Sequence, residues 1–254
     1  MKTLHRSDRK RIPLGSMMGS LLFKNLGAMD YLAALSLQER LVQRKQKEKL
    51  PDIILLVEHP HVFTIGRSGK ESNLLCPGEV PVHRTGRGGD VTYHGPGQMV
   101  IYPLLDLTST LRRDVHRYLR QVEQSLILTL DGFGLPSERR PPWTGVWSGK
   151  RKIASIGIAV RRGITCHGLA LNVNTDLGYF KRIIPCGLAW AEITSMRKEL
   201  GRALPMEQVQ EKFLAHFVRV FKYAEVKELC HEDIQIGSRS EPREVPTTSA
   251  SNGF

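Results

Sequence analysis

The 254-residue sequence has no apolar run near the ~18 residues that would carry a helix across a bilayer, which sets aside a helical membrane span. It has few cysteines: Cys76, Cys166, Cys186 and Cys230, with no C-x-x-C spacing. A chain this long buries enough apolar surface to do without disulfide staples, so free thiols in a reducing compartment are expected. Aromatic residues make up only 7%, and no basic–aromatic interleaving suggests a nucleic-acid surface. Nucleotide-phosphate motifs are missing too. G-x-G-x-x-G fails because position 91 is Val91, and the P-loop pattern fails at Gly69-Lys70 because Thr64 and Glu71 stand where Gly and Ser/Thr are needed. There is no G-x-S-x-G, no paired acidic motif and no His/Cys set at metal-ligand spacing, so no metal is expected.

Acidic residues are also scarce. Thirty-seven Lys and Arg face 25 Asp and Glu, giving a net charge of +12, which favours an acidic partner. Part of the excess belongs to the start of the chain, where residues 1–24 hold six basic residues and one acid. Residues 1–20 read as a basic extension or presequence, although Asp8 and Pro13 do not suit a mitochondrial one. Residues 232–254 are rich in Ser, Thr, Pro and Glu and read as a disordered tail. Residues 21–231, free of linkers and repeats, read as one domain.

Three helices are expected, marked by Tyr31/Ala34/Leu37/Leu41, by Val115/Leu119/Val122/Leu126/Leu130, and by Met206/Val209/Phe213/Phe217/Val220. Ile53–Val57, Val62–Ile65 and Val100–Tyr102 read as buried strands. Ile153–Val160 and Ile164–Val173 read as a hairpin around Arg161-Arg162-Gly163. The order of elements predicts an α+β fold with mixed sheets and flanking helices. Small residues recur on each hairpin strand: Ser155, Gly157 and Ala159, then Cys166, Gly168 and Ala170. They leave room for a ligand or another backbone. A plain three-residue loop would put the two rows on opposite faces, and a one-residue bulge would unite them.

Five glycines crowd Arg84–Gln98, a segment costly to order unless the backbone must bend sharply or lie against a ligand. With Arg87, Tyr93, His94 and Gln98 it reads as a binding surface. Cys186, in Ile184-Pro185-Cys186-Gly187, sits where a tight turn would present a thiol, and Cys76 is the surface alternative. Cys166 and Cys230 read as small buried hydrophobes. A reactive thiol needs a nearby cation, and Lys150-Arg151-Lys152 offers three, between which spacing alone does not choose. His59 and His61 read as loop residues.

Arg87-Gly88-Gly89-Asp90-Val91-Thr92-Tyr93-His94-Gly95-Pro96-Gly97-Gln98 resembles the signature of the lipoyl(octanoyl) transferases of lipoate biosynthesis. Lys152-Ile153-Ala154-Ser155-Ile156-Gly157 and Cys166-His167-Gly168-Leu169-Ala170-Leu171-Asn172, followed by Pro185-Cys186-Gly187, resemble its next two blocks in order and spacing. The resemblance implies the catalytic-domain fold of biotin and lipoate protein ligases. It also implies transfer of octanoyl from acyl carrier protein to a lysine of lipoyl domains and of the glycine-cleavage H protein, without a cofactor. It casts Cys186 as the acyl-thioester residue and Lys152 as the group that lowers its pKa. Arg87, Gly88, Gly89, Asp90, Val91, Thr92, Tyr93, His94, Ser155, Ile156, Gly157, Gly168, Leu169 and Ala170 would line the substrate site. The N-terminal extension and Arg140–Trp147 are similar to the animal mitochondrial form, which implies a matrix location. The alternatives are an ATP-dependent lipoate or biotin ligase on the same fold, and, more remotely, a nucleic-acid-binding protein.

Overall fold

The structure is a computed structural model that describes residues 18–48, 50–110 and 114–230. In chain order the elements are β1 (Met18–Ala28), α1 (Tyr31–Glu48), β2 (Asp52–Glu58), β3 (Val62–Ile65), β4 (Val82–Arg84), β5 (Val91–His94), β6 (Gln98–Leu104) and the short α2 (Leu107–Thr110). Then come α3 (Val115–Asp131), β7 (Glu138–Arg140), β8 (Trp143–Ser148), β9 (Arg151–Arg161), β10 (Ile164–Asn172), β11 (Glu192–Ile193), α4 (Met196–Leu200), α5 (Met206–Phe221) and β12 (Tyr223–Glu228). The fold is α+β. The proposed tail 232–254 and residues 1–17 of the proposed extension lie outside the described residues, whereas Met18, Gly19 and Ser20 already belong to β1.

Among the described residues the main sheet runs β12-β1-β2-β6-β10-β9-β8-β7, with β11 beside β9, and a second sheet runs β4-β3-β5. The central place of the main sheet is dictated by β2. Its unbroken apolar run has no polar face, so both faces must be covered. Ile53, Leu55 and Val57 pack with Ala34, Leu37 and Leu41 of α1. Ile54 and Leu56 pack toward Tyr118, Val122, Leu126 and Leu130 of α3 and Val209, Phe213, Phe217 and Phe221 of α5. Each of those phenylalanines is essentially unexposed and contributes on the order of 1.5–3 kcal/mol by burial. Asp114 starts α3 by accepting a 2.8 Å hydrogen bond from the Arg117 amide, an N-cap, and Gly132 closes it.

The β9–β10 hairpin corrects one expectation. Arg161 pairs directly with Ile164, so the loop has two residues, Arg162 and Gly163, at φ 52° and 88°. Two consecutive positive φ values fit the tight turn that matches strand twist, and no bulge is needed. The register sets Ser155 opposite Ala170, Gly157 opposite Gly168 and Ala159 opposite Cys166, so both small rows share one face.

Candidate active site

That shared face forms one wall of a narrow, partly open cleft with about 50 Å³ of free space inside it. Ser155, Ile156, Gly157, Gly168, Leu169 and Ala170 line it from the hairpin; Arg87, Gly88, Gly89, Asp90, Thr92 and His94 line it from the glycine-rich segment and β5. Cys186 lines it as well. Val91 and Tyr93 do not. Side chains alternate along β5, and these two turn into the small sheet's own core with Phe63, Ile65, Phe180 and Ile183. Tyr31, Val100, Tyr102 and His167 line the cleft without having been expected there. Nothing local in the sequence distinguishes Tyr31 or Tyr102 from core residues, because α1 and β6 approach the cleft only through the sheet order.

The glycines at 157 and 168 are explained by backbone, not by ligand. A Cβ on Gly157 would lie 2.8 Å from the Gly88 carbonyl oxygen, and one on Gly168 would overlap the Ile101 carbonyl oxygen. The Gly88 amide meanwhile donates to Ile158 O at 2.8 Å, so the glycine-rich segment rests directly on β9. Arg87 serves the same purpose. Its Nε donates to Thr64 Oγ1 at 3.1 Å, Nη1 to Gly88 O at 3.0 Å, and Nη2 to Thr64 O and Asp90 O, both at 2.7 Å. Burial pulls this guanidinium below its ordinary value, opposed by the charges of Tyr31 and Cys186.

Cys186 stands on the three-residue turn Pro185–Gly187 with φ 57°, a left-handed conformation uncommon for a side chain-bearing residue, and Gly187 follows at φ 68°. The turn is held from outside the cleft. The Ile184 amide donates to Asn73 O at 2.7 Å, Asn73 Nδ2 donates to Asp90 Oδ2 at 2.6 Å, and a Cβ on Gly187 would press on that same carboxylate oxygen.

Of the three cations, it is Lys152 that meets the thiol. Its Nζ donates to Cys186 Sγ at 3.3 Å, and its side chain is buried. Among the described residues no carboxylate lies within 4.0 Å of that ammonium; its other neighbour is the Trp147 ring, 5.6 Å from Nζ to centroid. Arg151 instead forms a two-point pair with Glu199, at 2.7 Å for each contact. Lys150 is exposed. β11 brings the cysteine loop back to the lysine strand: Ile193 pairs with Lys152, and the Thr194 amide donates to Lys152 O at 2.9 Å.

A buried polar chain joins this corner to the cleft wall. Thr194 O accepts from Asn172 Nδ2 at 2.9 Å, Asn172 Oδ1 accepts from Gln98 Nε2 at 2.9 Å, and Gln98 Oε1 accepts from His94 Nδ1 at 2.8 Å. Since the Gln98 amide nitrogen is already donating, His94 must carry its proton on Nδ1. Burial, then the neighbouring His59, pushes the His94 imidazole down to about 3, so it is neutral at physiological pH. His167, at φ 56° inside β10, is pushed down to about 4, chiefly by burial. His59 lies on a loop, as read, but is buried, with Met29 O and Tyr102 Oη each 2.7 Å from a ring nitrogen. Cys166 is buried and Cys76 exposed, as read; Cys230 is exposed instead of buried, since it lies beyond the end of β12. No group of three potential metal ligands occurs among the described residues. No helix among them is long and apolar enough to cross a membrane.

Residues 30–218 match the family Lipoyl protein ligase A/B catalytic domain. The octanoyltransferase of Solibacter usitatus is 46% identical over 212 residues, covering 81% of this chain and 95% of that protein. The octanoyltransferase of Citrifermentans bemidjiense is 47% identical over 197 residues, covering 78% and 95%. Among solved structures, lipoate-protein ligase A bound with ATP superimposes with a TM-score of 0.68 at 15% identity, covering 86% of this chain and 92% of that one. The ligase of the Thermoplasma acidophilum lipoylation system gives 0.62 at 16% identity, covering 86% and 91%. The two ligases share the fold. The sequence relationship is closer to the transferases, and the chain belongs to the octanoyltransferases of the lipoyl protein ligase A/B catalytic-domain family.

Proposed function

We propose that this acyltransferase moves an octanoyl group from the thioester of acyl carrier protein to a lysine of lipoyl domains, through a thioester on Cys186. The observation that carries the reading is the 3.3 Å contact between Lys152 Nζ and Cys186 Sγ at the edge of the cleft. In this reading the sulfur reacts as the thiolate, with Lys152 as the ammonium beside it. The thiolate attacks the donor carbonyl, and the bond to the carrier's sulfur breaks. That leaving thiolate takes the Lys152 proton, which leaves octanoyl-Cys186 beside a neutral amine. The acceptor lysine then enters as a free amine and attacks the same carbonyl. Lys152 accepts the proton released from its nitrogen, general-base work, while Cys186 departs as thiolate. Amide, thiolate and ammonium remain, so the pair is restored without any outside acid or base. Both half-reactions start from an activated thioester, and ATP is not required.

An alkyl guest suits the cleft. Val100 and Ala170 give it apolar side chains, the backbone at Ile156 and Leu169 lines it from the hairpin, and Tyr31, Thr92, His94 and Ser155 add polar groups. The acceptors in this reading are the lipoyl domains of 2-oxo acid dehydrogenases and the glycine-cleavage H protein. The basic stretch 1–20 supports a mitochondrial matrix location, tested by fusing it to a fluorescent protein and monitoring import.

The deciding experiment is intact mass after mixing the chain with octanoyl-acyl carrier protein and no ATP, beside Cys186→Ser. One octanoyl group on the wild type, labile to hydroxylamine and absent from the variant, is the expected result. Transfer that persists in Cys186→Ser and requires ATP would return the reading to a ligase.

A further inference from the structure

Trp190 lies four residues beyond Cys186 and is 49% exposed, unusual for an indole. Its ring is not loose. It stacks on Trp147 at 5.6 Å between centroids and 8° between planes, and Trp143 meets it edge-on at 4.7 Å and 61°. The Arg140 guanidinium lies 5.5 Å from the Trp190 ring and 5.6 Å from the Trp147 ring. Trp147 in turn faces Lys152. None of these side chains lines the acyl cleft, and the group meets the Cys186–Lys152 pair through the contact of Trp147 with Lys152.

Two more facts mark this patch as incomplete by itself. Arg140 Nη1 and Trp147 Nε1 are buried donors without a hydrogen-bond partner. Arg140 also has no carboxylate within 4.0 Å among the described residues, and exposed Lys150 next to β9 adds an uncompensated cation. An exposed, preordered Trp backed by an Arg is the composition of an interface hot spot.

We infer that the Trp190–Arg140–Trp147 stack is the docking surface for the acceptor: a protein turn that carries the target lysine and acidic residues beside it. The inference rests on the Cys186 thioester reading. The acyl chain occupies the cleft on one side of Sγ, and the amine must reach the carbonyl within proton-transfer distance of Lys152 Nζ, which faces Trp147. The positive charge of the patch complements acidic residues around the target. The indole supplies apolar contact that outlasts added salt.

The test separates the half-reactions. Trp190→Ala, Trp190→Phe and Arg140→Gln are compared with wild type in self-acylation from octanoyl-acyl carrier protein, in discharge of the acyl-enzyme by hydroxylamine, and in transfer to an apo lipoyl domain. Trp190→Ala is expected to raise the KM for the domain about tenfold or more, with self-acylation and hydroxylamine discharge within about twofold of wild type. Trp190→Phe should recover most of the loss, and Arg140→Gln should flatten the salt dependence of that KM. Equal loss in all three assays would make the stack a scaffold and overturn the inference, as would an unchanged domain KM. A shift in oligomeric state on size exclusion with the domain KM unchanged would assign the face to a second copy of the chain, against the inference. Absence of acyl-enzyme in the wild type would instead overturn the Cys186 reading, and this one with it.

Discussion

Arg87→Lys keeps the charge and should still unfasten the cleft. The guanidinium reaches Thr64 Oγ1, Thr64 O, Gly88 O and Asp90 O at once, from three nitrogens fixed in a plane. A lysine ammonium is one point on a flexible stem and cannot span acceptors on β3 and on both sides of the glycine turn. At least two charge-assisted hydrogen bonds are lost, at about 1.5–3 kcal/mol each, and the buried carbonyls they served are left short of donors. Part is regained by the lysine's own contacts, which leaves a loss of about 3 kcal/mol. For a chain of this length, where each kcal/mol moves Tm by about 2–4 °C, the midpoint should fall by roughly 6–12 °C. The same slackening lets Gly88 lift from Ile158, so self-acylation should fall while the variant is still folded. Calorimetry with intact-mass acylation at 20 °C reads both. A Tm within 2 °C of wild type would refute the reasoning, because the guanidinium could not then be what holds the segment down. A normal Tm with lost acylation would put Arg87 on the substrate instead.

Protons provide further checks. Lys152→Arg keeps a cation against Cys186 but is a poor base, so self-acylation should survive better than transfer to the lipoyl domain; equal loss of both would remove the second role given to Lys152. His94 and His167 are held near 3 and near 4, below the ordinary 6.5, so the unfolded chain takes up protons that the folded one refuses. Stability is therefore full above pH 6.5 and is lost as pH falls toward 4, by about 2 kcal/mol per histidine between pH 7 and pH 5. His167→Asn, a residue that tolerates the left-handed backbone at this position, should reduce the acid-side loss in urea melts at the two pH values by about 2 kcal/mol, with His59 and His216, also lowered, still contributing; an unchanged loss would show the histidine is not responsible.

The helices at Tyr31, Val115 and Met206 and the strands at Ile53, Val62, Val100, Ile153 and Ile164 were legible because each buries a regular stripe or a continuous run. β1, β8 and β12 were not. β12 buries Tyr223 but exposes most of its other residues, and it is a strand because β1 offers a parallel edge at Met18–Phe23. That is a long-range cause with no local pattern. The hairpin register failed for a different reason: it turned on whether Arg162 would accept a positive φ, and a tight two-residue turn made it do so. At the site, residue types were legible and directions were not. Val91 and Tyr93 sit in the same block as Thr92 and His94, and only strand alternation sends them to the other side.

The choice of Lys152 over its two neighbours has a physical cause that also explains why the pair is usable. Arg151, Lys152 and the Lys150 turn carry the same sign, but the strand points alternate side chains to opposite faces. Arg151 falls where Glu199 can bind it with two contacts, and that pair is partly open to water. Lys152 falls on the buried face, where the described residues offer it a sulfur and an indole but no carboxylate. A carboxylate there would favour the ammonium and oppose the proton role proposed for Lys152. In the proposed mechanism, with sulfur the one acidic partner among the described residues, acylation would remove the charge beside Lys152 and deacylation would return it. The neighbour taken by Glu199 thus anchors the strand, and the one left without an acid can carry the chemistry.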